Sequence, residues 1–78
     1  MNTTGAIKHA AHLTGGTTAL ANLLNIKPPT VSQWLTGIRR VPAEQCPRIE
    51  RLTDGLVCCE DLRPDVDWAI LRRPRAAT

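Results

Sequence analysis

The sequence predicts an all-α protein, a compact bundle of five short helices. Three observations carry that expectation. Apolar residues make up 42% of the 78 positions, which suits a globular core and is too high for a disordered chain. They recur at intervals of three and four, the spacing of one helix face, and no window alternates with the period a strand requires. Glycine and proline divide the chain into segments that hold only short helices. The length allows one domain near the lower limit for a single core. We place that domain at residues 1–71 and expect 72–78 to be a basic, flexible tail.

The first helix is expected from Thr4 to Leu13, with Ile7, Ala10 and Ala11 on one face, and Gly15-Gly16 stops it. The second runs from Thr17 to Leu24, where Leu20, Ala21, Leu23 and Leu24 form an apolar stripe. Thr17 or Thr18 can offer a capping hydroxyl at its start. Asn25-Ile26-Lys27 then interrupts the helix. The third helix opens on Pro28-Pro29, which costs nothing there because the first N–H groups of a helix have no internal partner. Val31, Trp34, Leu35 and Ile38 follow at i, i+3, i+4 and i+7 and point at a core. Pro28, Pro29, Ser32, Gln33 and Thr36 lie on the opposite face, and Gly37 is the stop.

A fourth helix is expected from Pro42 to Thr53, with Ile49 and Leu52 inward and Asp54-Gly55 at its end. Pro47 sits past the free first turn and should delete a bond or kink the start. A fifth helical turn covers Cys59 to Leu62 and ends at Arg63-Pro64. Residues 56–71 leave a choice between helical or irregular structure and a short strand pair at a subunit interface. Trp68, Ile70 and Leu71 would dock either on the core or on a second copy.

Charge is segregated. Residues 1–43 hold Lys8, Lys27, Arg39 and Arg40 and no acid, whereas 44–67 hold all seven acidic residues against Arg48, Arg51 and Arg63. Arg72, Arg73 and Arg75 close the chain and bring the net charge to +3. One side of the molecule is thus positive and suits a polyanion, with ordinary solvated surface as the alternative. Cys46, Cys58 and Cys59 are an odd count without C-x-x-C spacing, which fits a reducing cytosol and no disulfide framework. His9 and His12 share a helix face but lack a third metal ligand nearby. No apolar run spans a membrane, and no leader is evident. No catalytic constellation, phosphate-binding loop or metal set is visible, so we expect neither an enzyme nor a cofactor or small-molecule substrate. RNA and single-strand binders usually display aromatic platforms, and Trp34 and Trp68 are the only aromatic residues here.

Residues 17–36 meet each demand of a helix-turn-helix. Ala21 is small where two steeply crossing helices approach. Asn25 tolerates a left-handed backbone, Ile26 anchors the turn, and Val31 and Trp34 have the phase to pack beneath the first helix.

The motif resembles the helix-turn-helix of phage Cro and repressor proteins, a lambda-repressor-like arrangement, and more narrowly the YdaS-like Cro or antitoxin group. The narrower likeness rests on Gly15-Gly16-Thr17 before the motif and on Val41-Pro42-Ala43-Glu44-Gln45-Cys46-Pro47 with Ile49-Glu50-Arg51 after it. It continues through Asp61-Leu62-Arg63-Pro64-Asp65 to Trp68. Asn25 stands where that family commonly has Gly, Lys27 where it has Ser or Thr, and the double proline is unusual. The resemblance implies a cytoplasmic regulator that binds double-stranded operator DNA as a homodimer, represses transcription, and has half-sites about one helical turn apart. An antitoxin held by a toxin partner, with DNA binding as autoregulation, is the alternative.

Such proteins set the N-terminal residues of the second motif helix against base edges in the major groove. Here those are Lys27, Pro28, Pro29, Thr30, Ser32 and Gln33. Gln33 is the strongest, since an amide pairs bidentately with adenine for about 1–3 kcal/mol of discrimination. Thr17 and Thr18 should meet a phosphate through hydroxyl and N–H groups, and Thr36, Arg39 and Arg40 should grip the flanking backbone. Ordinary solvated surface is the competing reading for Ser32, Gln33, Arg39 and Arg40.

Overall fold

The computed structural model describes residues 3–71, with Leu71 described by its backbone alone. The expected basic tail, 72–78, lies outside the described residues. The elements are α1 (Thr3–Thr14), α2 (Thr17–Leu24), α3 (Pro28–Thr36), a 3-10 turn (Ala43–Gln45), α4 (Cys46–Leu52), α5 (Cys59–Leu62) and α6 (Trp68–Leu71). The architecture is all-α, as expected, with six α-helices rather than five among the described residues. No strand forms in 56–71 within that range, so the strand-pair option falls.

Three helix ends share one device. Beyond α1, Gly16 N–H reaches Ala11 O at 2.7 Å and Gly15 N–H reaches His12 O at 3.3 Å. Beyond α2, Ile26 N–H reaches Ala21 O at 2.9 Å and Asn25 N–H reaches Asn22 O at 3.1 Å. Beyond α4, Gly55 N–H reaches Glu50 O at 2.9 Å and Asp54 N–H reaches Arg51 O at 3.2 Å. Each is the paired closure that satisfies the orphan carbonyls of a helix end, and each needs a left-handed residue. Asn25 supplies it at φ 59 and ψ 43, and Asp54 at φ 55. Short polar side chains tolerate that backbone better than most.

Two expectations about the fourth helix need correction. The helix does not run unbroken from Pro42. Pro47 has no N–H, and its ring would collide with the carbonyl four residues back, at Ala43. The chain instead tightens into the 3-10 turn and begins α4 at Cys46, which places Pro47 in the tolerant first turn. Leu52, expected inward, is 37% exposed. Ile38 also fails, at 74% exposed. The periodic count carried it past the end of α3, where Gly37 at φ 80 turns the chain and resets the phase.

The core joins α1 to α5 through Ile7, Leu20, Leu24, Val31, Ile49 and Leu62, with Val41 and Val57 from the connections. α1 packs on α2, α3 and α5, α2 packs on α3, and α4 packs on α5. Trp68 docks on the chain's own core at 5% exposed, and its Nε1–H donates to Arg63 O at 2.8 Å. The three cysteines form no disulfide, with Cys46 and Cys59 buried and Cys58 half-buried. Burial, with Cys59 nearby, pushes the Cys46 thiol up to about 12.

Candidate nucleic-acid interface

The helix-turn-helix forms at 17–36 with the expected boundaries, and burial fixes its orientation. Val31 is fully buried and Trp34 is 3% exposed, with Leu35 partly buried against the same core. One helix face is thereby committed inward. Pro29 and Ser32 are exposed on the other face, Gln33 is half-buried, and Pro28 and Thr30 lie half-buried at the flanks. Lys27 is exposed immediately before the helix, in extended conformation at φ −79 and ψ 140. The six residues expected nearest the bases therefore all fall within 27–33, interrupted only by the buried Val31, and none of the six belongs to the core. The Gln33 amide makes no hydrogen bond among the described residues, which leaves its donor and acceptor free.

The two helices differ at their N-termini. In α2 the first internal bond runs from Leu20 N–H to Gly16 O at 2.9 Å, so the N–H groups of Thr17, Thr18 and Ala19 have no partner in the helix. Gly16, at φ 120, both closes α1 and caps α2. The expected capping hydroxyl of Thr17 or Thr18 does not form, because no side chain bonds at that cap. Three amides and two threonines thus converge where an anion is favoured. In α3, Pro28 and Pro29 have no N–H to offer, and Thr30 N–H is committed to Lys27 O at 3.0 Å.

Beyond α3, Thr36, Arg39 and Arg40 are all exposed. The Thr36 hydroxyl donates back to Ser32 O at 3.1 Å and Gln33 O at 3.3 Å, so its single proton is already used within the helix. Arg39 anchors its own backbone through N–H to Gln33 O at 3.2 Å. A cleft of about 310 Å³ lies beside this loop, lined by Trp34, Arg39, Arg40, Arg63 and Asp65 among others.

Sequence reading missed the group that borders Arg40. Arg63 forks onto Asp65, with Nε to Oδ1 at 2.9 Å and Nη2 to Oδ2 at 2.8 Å, while its Nη1 donates to Val41 O at 3.0 Å. Asp65 Oδ2 also accepts from Arg40 Nη1 at 3.3 Å. The Arg63 hydrogen bond is the main reason the Asp65 carboxyl lies down at about 2. The available signal was an opposite-charge pair two residues apart across Pro64, read only as a helix stop.

As for metals, His9 and His12 gather no third ligand among the described residues. Glu50, Cys58 and Glu60 do bring one ligand atom each within 4.8 Å of one another, but Glu50 already accepts from Cys59 N–H at 2.9 Å. No helix of the described residues is long and apolar enough to cross a membrane.

Comparison with known proteins agrees with this geometry. Residues 7–71 match the sequence model of the family described as "Bacterial toxin YdaS". The chain is 54% identical over 68 residues to a protein of Escherichia coli (strain K12) named "Putative transcriptional regulator YdaS", covering 87% of this chain and 69% of that protein. Among solved structures, it is similar to the Cro protein from the element Xfaso 1 of Xylella fastidiosa strain Ann-1, with a TM-score of 0.74 and 45% identity over 85% of this chain and 95% of that one. Profile, relative and fold converge, and the chain belongs to the YdaS family within the Cro-like helix-turn-helix group.

Proposed function

We propose that this chain is a sequence-specific, double-stranded DNA-binding transcriptional regulator, a Cro-like repressor that reads the major groove with α3. One observation carries the reading. Val31 and Trp34 are buried, so α3 is rigidly seated with Lys27, Pro28, Pro29, Thr30, Ser32 and Gln33 outside the core. The free amides at the start of α2, with Thr17 and Thr18, supply one grip on the sugar–phosphate backbone, and Arg39 supplies another, with Arg40 adding to it only in part because Asp65 already holds its guanidinium. Thr36 contributes least there, because its hydroxyl proton is already bonded. The names of the Escherichia coli and Xylella proteins support the same reading. Binding alone accounts for such a role, and no catalytic step is invoked.

The protein acts as a homodimer on a two-fold symmetric operator in this proposal, since a core this small gains margin from a second copy. Selection from a randomised duplex library tests it. The expected result is an enriched palindrome whose half-sites lie about one helical turn apart. Recovery of no preferred sequence would sink the specific-binding reading, and a strict monomer on the selected duplex in ultracentrifugation would sink the dimer.

The family description, which names a toxin, favours a second reading. The chain then belongs to a toxin–antitoxin pair, as an antitoxin acting mainly through a protein partner with DNA binding as autoregulation. Stoichiometric co-purification of one partner without enriched DNA would decide for it.

A further inference from the structure

We propose that Asp65 is a positioning residue for the backbone grip, an internal competitor that holds the Arg40 guanidinium against the phosphate it would otherwise take. The inference rests on the DNA-binding reading above and adds a residue and a mechanism to it.

The arrangement is built rather than incidental. All three guanidinium nitrogens of Arg63 are committed, two to the carboxylate of Asp65 and one to the carbonyl of Val41. The Arg63 side chain is only 20% exposed, and its own carbonyl is held by the indole of the buried Trp68 at 2.8 Å. Two-point, charge-assisted bonds of this kind fix direction as well as distance. Asp65 is therefore locked relative to Val41, the residue that follows Arg40 in the chain. Its Oδ2 is consequently presented to Arg40, whose side chain is 74% exposed and meets it at 3.3 Å.

The charge pattern gives this contact its meaning. Residues 1–43 contain no acid, so the basic loop after α3 has no carboxylate of its own. The fold brings one in from 25 positions away. Two opposed requirements explain such a placement. Every cation on the face raises affinity for any duplex, whereas only base contacts raise affinity for the right one. A carboxylate fixed beside Arg40 subtracts from the first term and leaves the second alone. An exposed ion pair adds little to stability, so its consequence lies in how readily Arg40 can be taken by a phosphate.

The test measures binding of the full chain to a labelled short duplex of random sequence across a salt series. Asp65→Asn should bind several-fold more tightly at low salt. The plot of log affinity against log salt should steepen by about 0.9, the increment for one further phosphate neutralised. Adding Arg40→Gln to that variant should return both affinity and slope to near the wild-type values. Arg40→Gln in the wild-type background, which needs no loss of Asp65, should change the slope by less than half that increment. An unchanged or shallower slope in Asp65→Asn overturns the proposal. So does a gain that survives Arg40→Gln, or a full increment lost on Arg40→Gln alone. A wild-type chain that binds no duplex at low salt would instead remove the DNA-binding reading, and this inference with it.

Discussion

Thr53 is the one buried polar side chain among the described residues, at 4% exposed, and replacing it with valine isolates a polar cost from a packing one. Valine has nearly the same shape, so no cavity forms. What changes is a set of hydrogen bonds. The Thr53 hydroxyl accepts from Val57 N–H at 3.1 Å, and its proton lies among Ile49 O at 3.0 Å, Glu50 O at 3.2 Å and Val57 O at 3.3 Å. Two of those carbonyls keep a partner without it. Thr53 N–H still reaches Ile49 O at 3.0 Å, and Gly55 N–H still reaches Glu50 O at 2.9 Å. The loss therefore falls on Val57, a fully buried residue whose N–H would have no acceptor.

A buried donor left unpaired costs about 1–3 kcal/mol, so Thr53→Val should destabilise by about 2 kcal/mol. For a domain of this size, each kcal/mol moves the melting midpoint by about 4–8 °C, which gives a fall of about 8–16 °C. Thr53→Ser keeps the hydroxyl and loses one methyl group, for about 1 kcal/mol or less. Thermal and urea unfolding followed by far-UV circular dichroism read both variants. A Thr53→Val protein within about 0.5 kcal/mol of wild type, well below the cost of an orphaned donor, would refute the argument. A serine variant less stable than the valine one would refute it too, since the methyl and not the hydroxyl would then matter.

Gln33→Ala should keep the fold, because that side chain makes no hydrogen bond among the described residues, and should lose about 1–3 kcal/mol of discrimination at one base position; an unchanged selected motif removes Gln33 from the interface. Cys46, buried and raised to about 12, should resist alkylation under native conditions while the half-buried Cys58 reacts first, as peptide mass spectrometry can show; equal rates would contradict the burial. Asp65 titrates near 2 in the fold against 3.8 ordinarily, so the unfolded chain binds its proton more readily. Its stabilising contribution is complete above about pH 4 and disappears as pH falls toward 2. The stability gap between wild type and Asp65→Asn, measured by urea unfolding, should close over that interval, and a gap that stays constant would contradict the Arg63 hydrogen bond as its source.

The helix-turn-helix was legible in the sequence because each of its determinants is local. Val31 and Trp34 declare an inward phase within one turn, Pro28-Pro29 can only begin a helix, and Asn25 can take the left-handed angles that close α2. The same local reasoning erred where it was extended beyond a stop. Ile38 keeps the periodic spacing of α3 but follows Gly37, so its phase no longer describes a helix. Pro47 is a conflict legible in the sequence, which does not choose between a kink and a new start. The backbone avoids the clash of the Pro47 ring with the carbonyl of Ala43 by starting α4 at Cys46. Trp68 posed a choice between its own core and a second copy, and packing resolved it. Least legible was the Arg63–Asp65–Arg40 group, since no local pattern pairs residues 25 positions apart.

The two helix N-termini of the motif carry opposite chemistry, and this bears on where specificity resides. α2 begins with three amides that have no partner in the helix and two threonines beside them, the composition that holds a phosphate without regard to sequence. α3 begins with Pro28 and Pro29, and its next amide already serves Lys27 O. The first three residues of α3 therefore have no unbonded N–H to offer a phosphate. A helix so placed is not drawn by its own amides toward the strand at the groove's edge. In the proposed mode of binding its N-terminal contacts come from side chains: the rings of Pro28 and Pro29 against apolar base surface, and the polar groups of Thr30, Ser32 and Gln33 against base edges. In the proposed mode of binding, positioning then falls to α2 and chiefly to Arg39 beyond α3, and the double proline leaves α3 with little to do except discriminate.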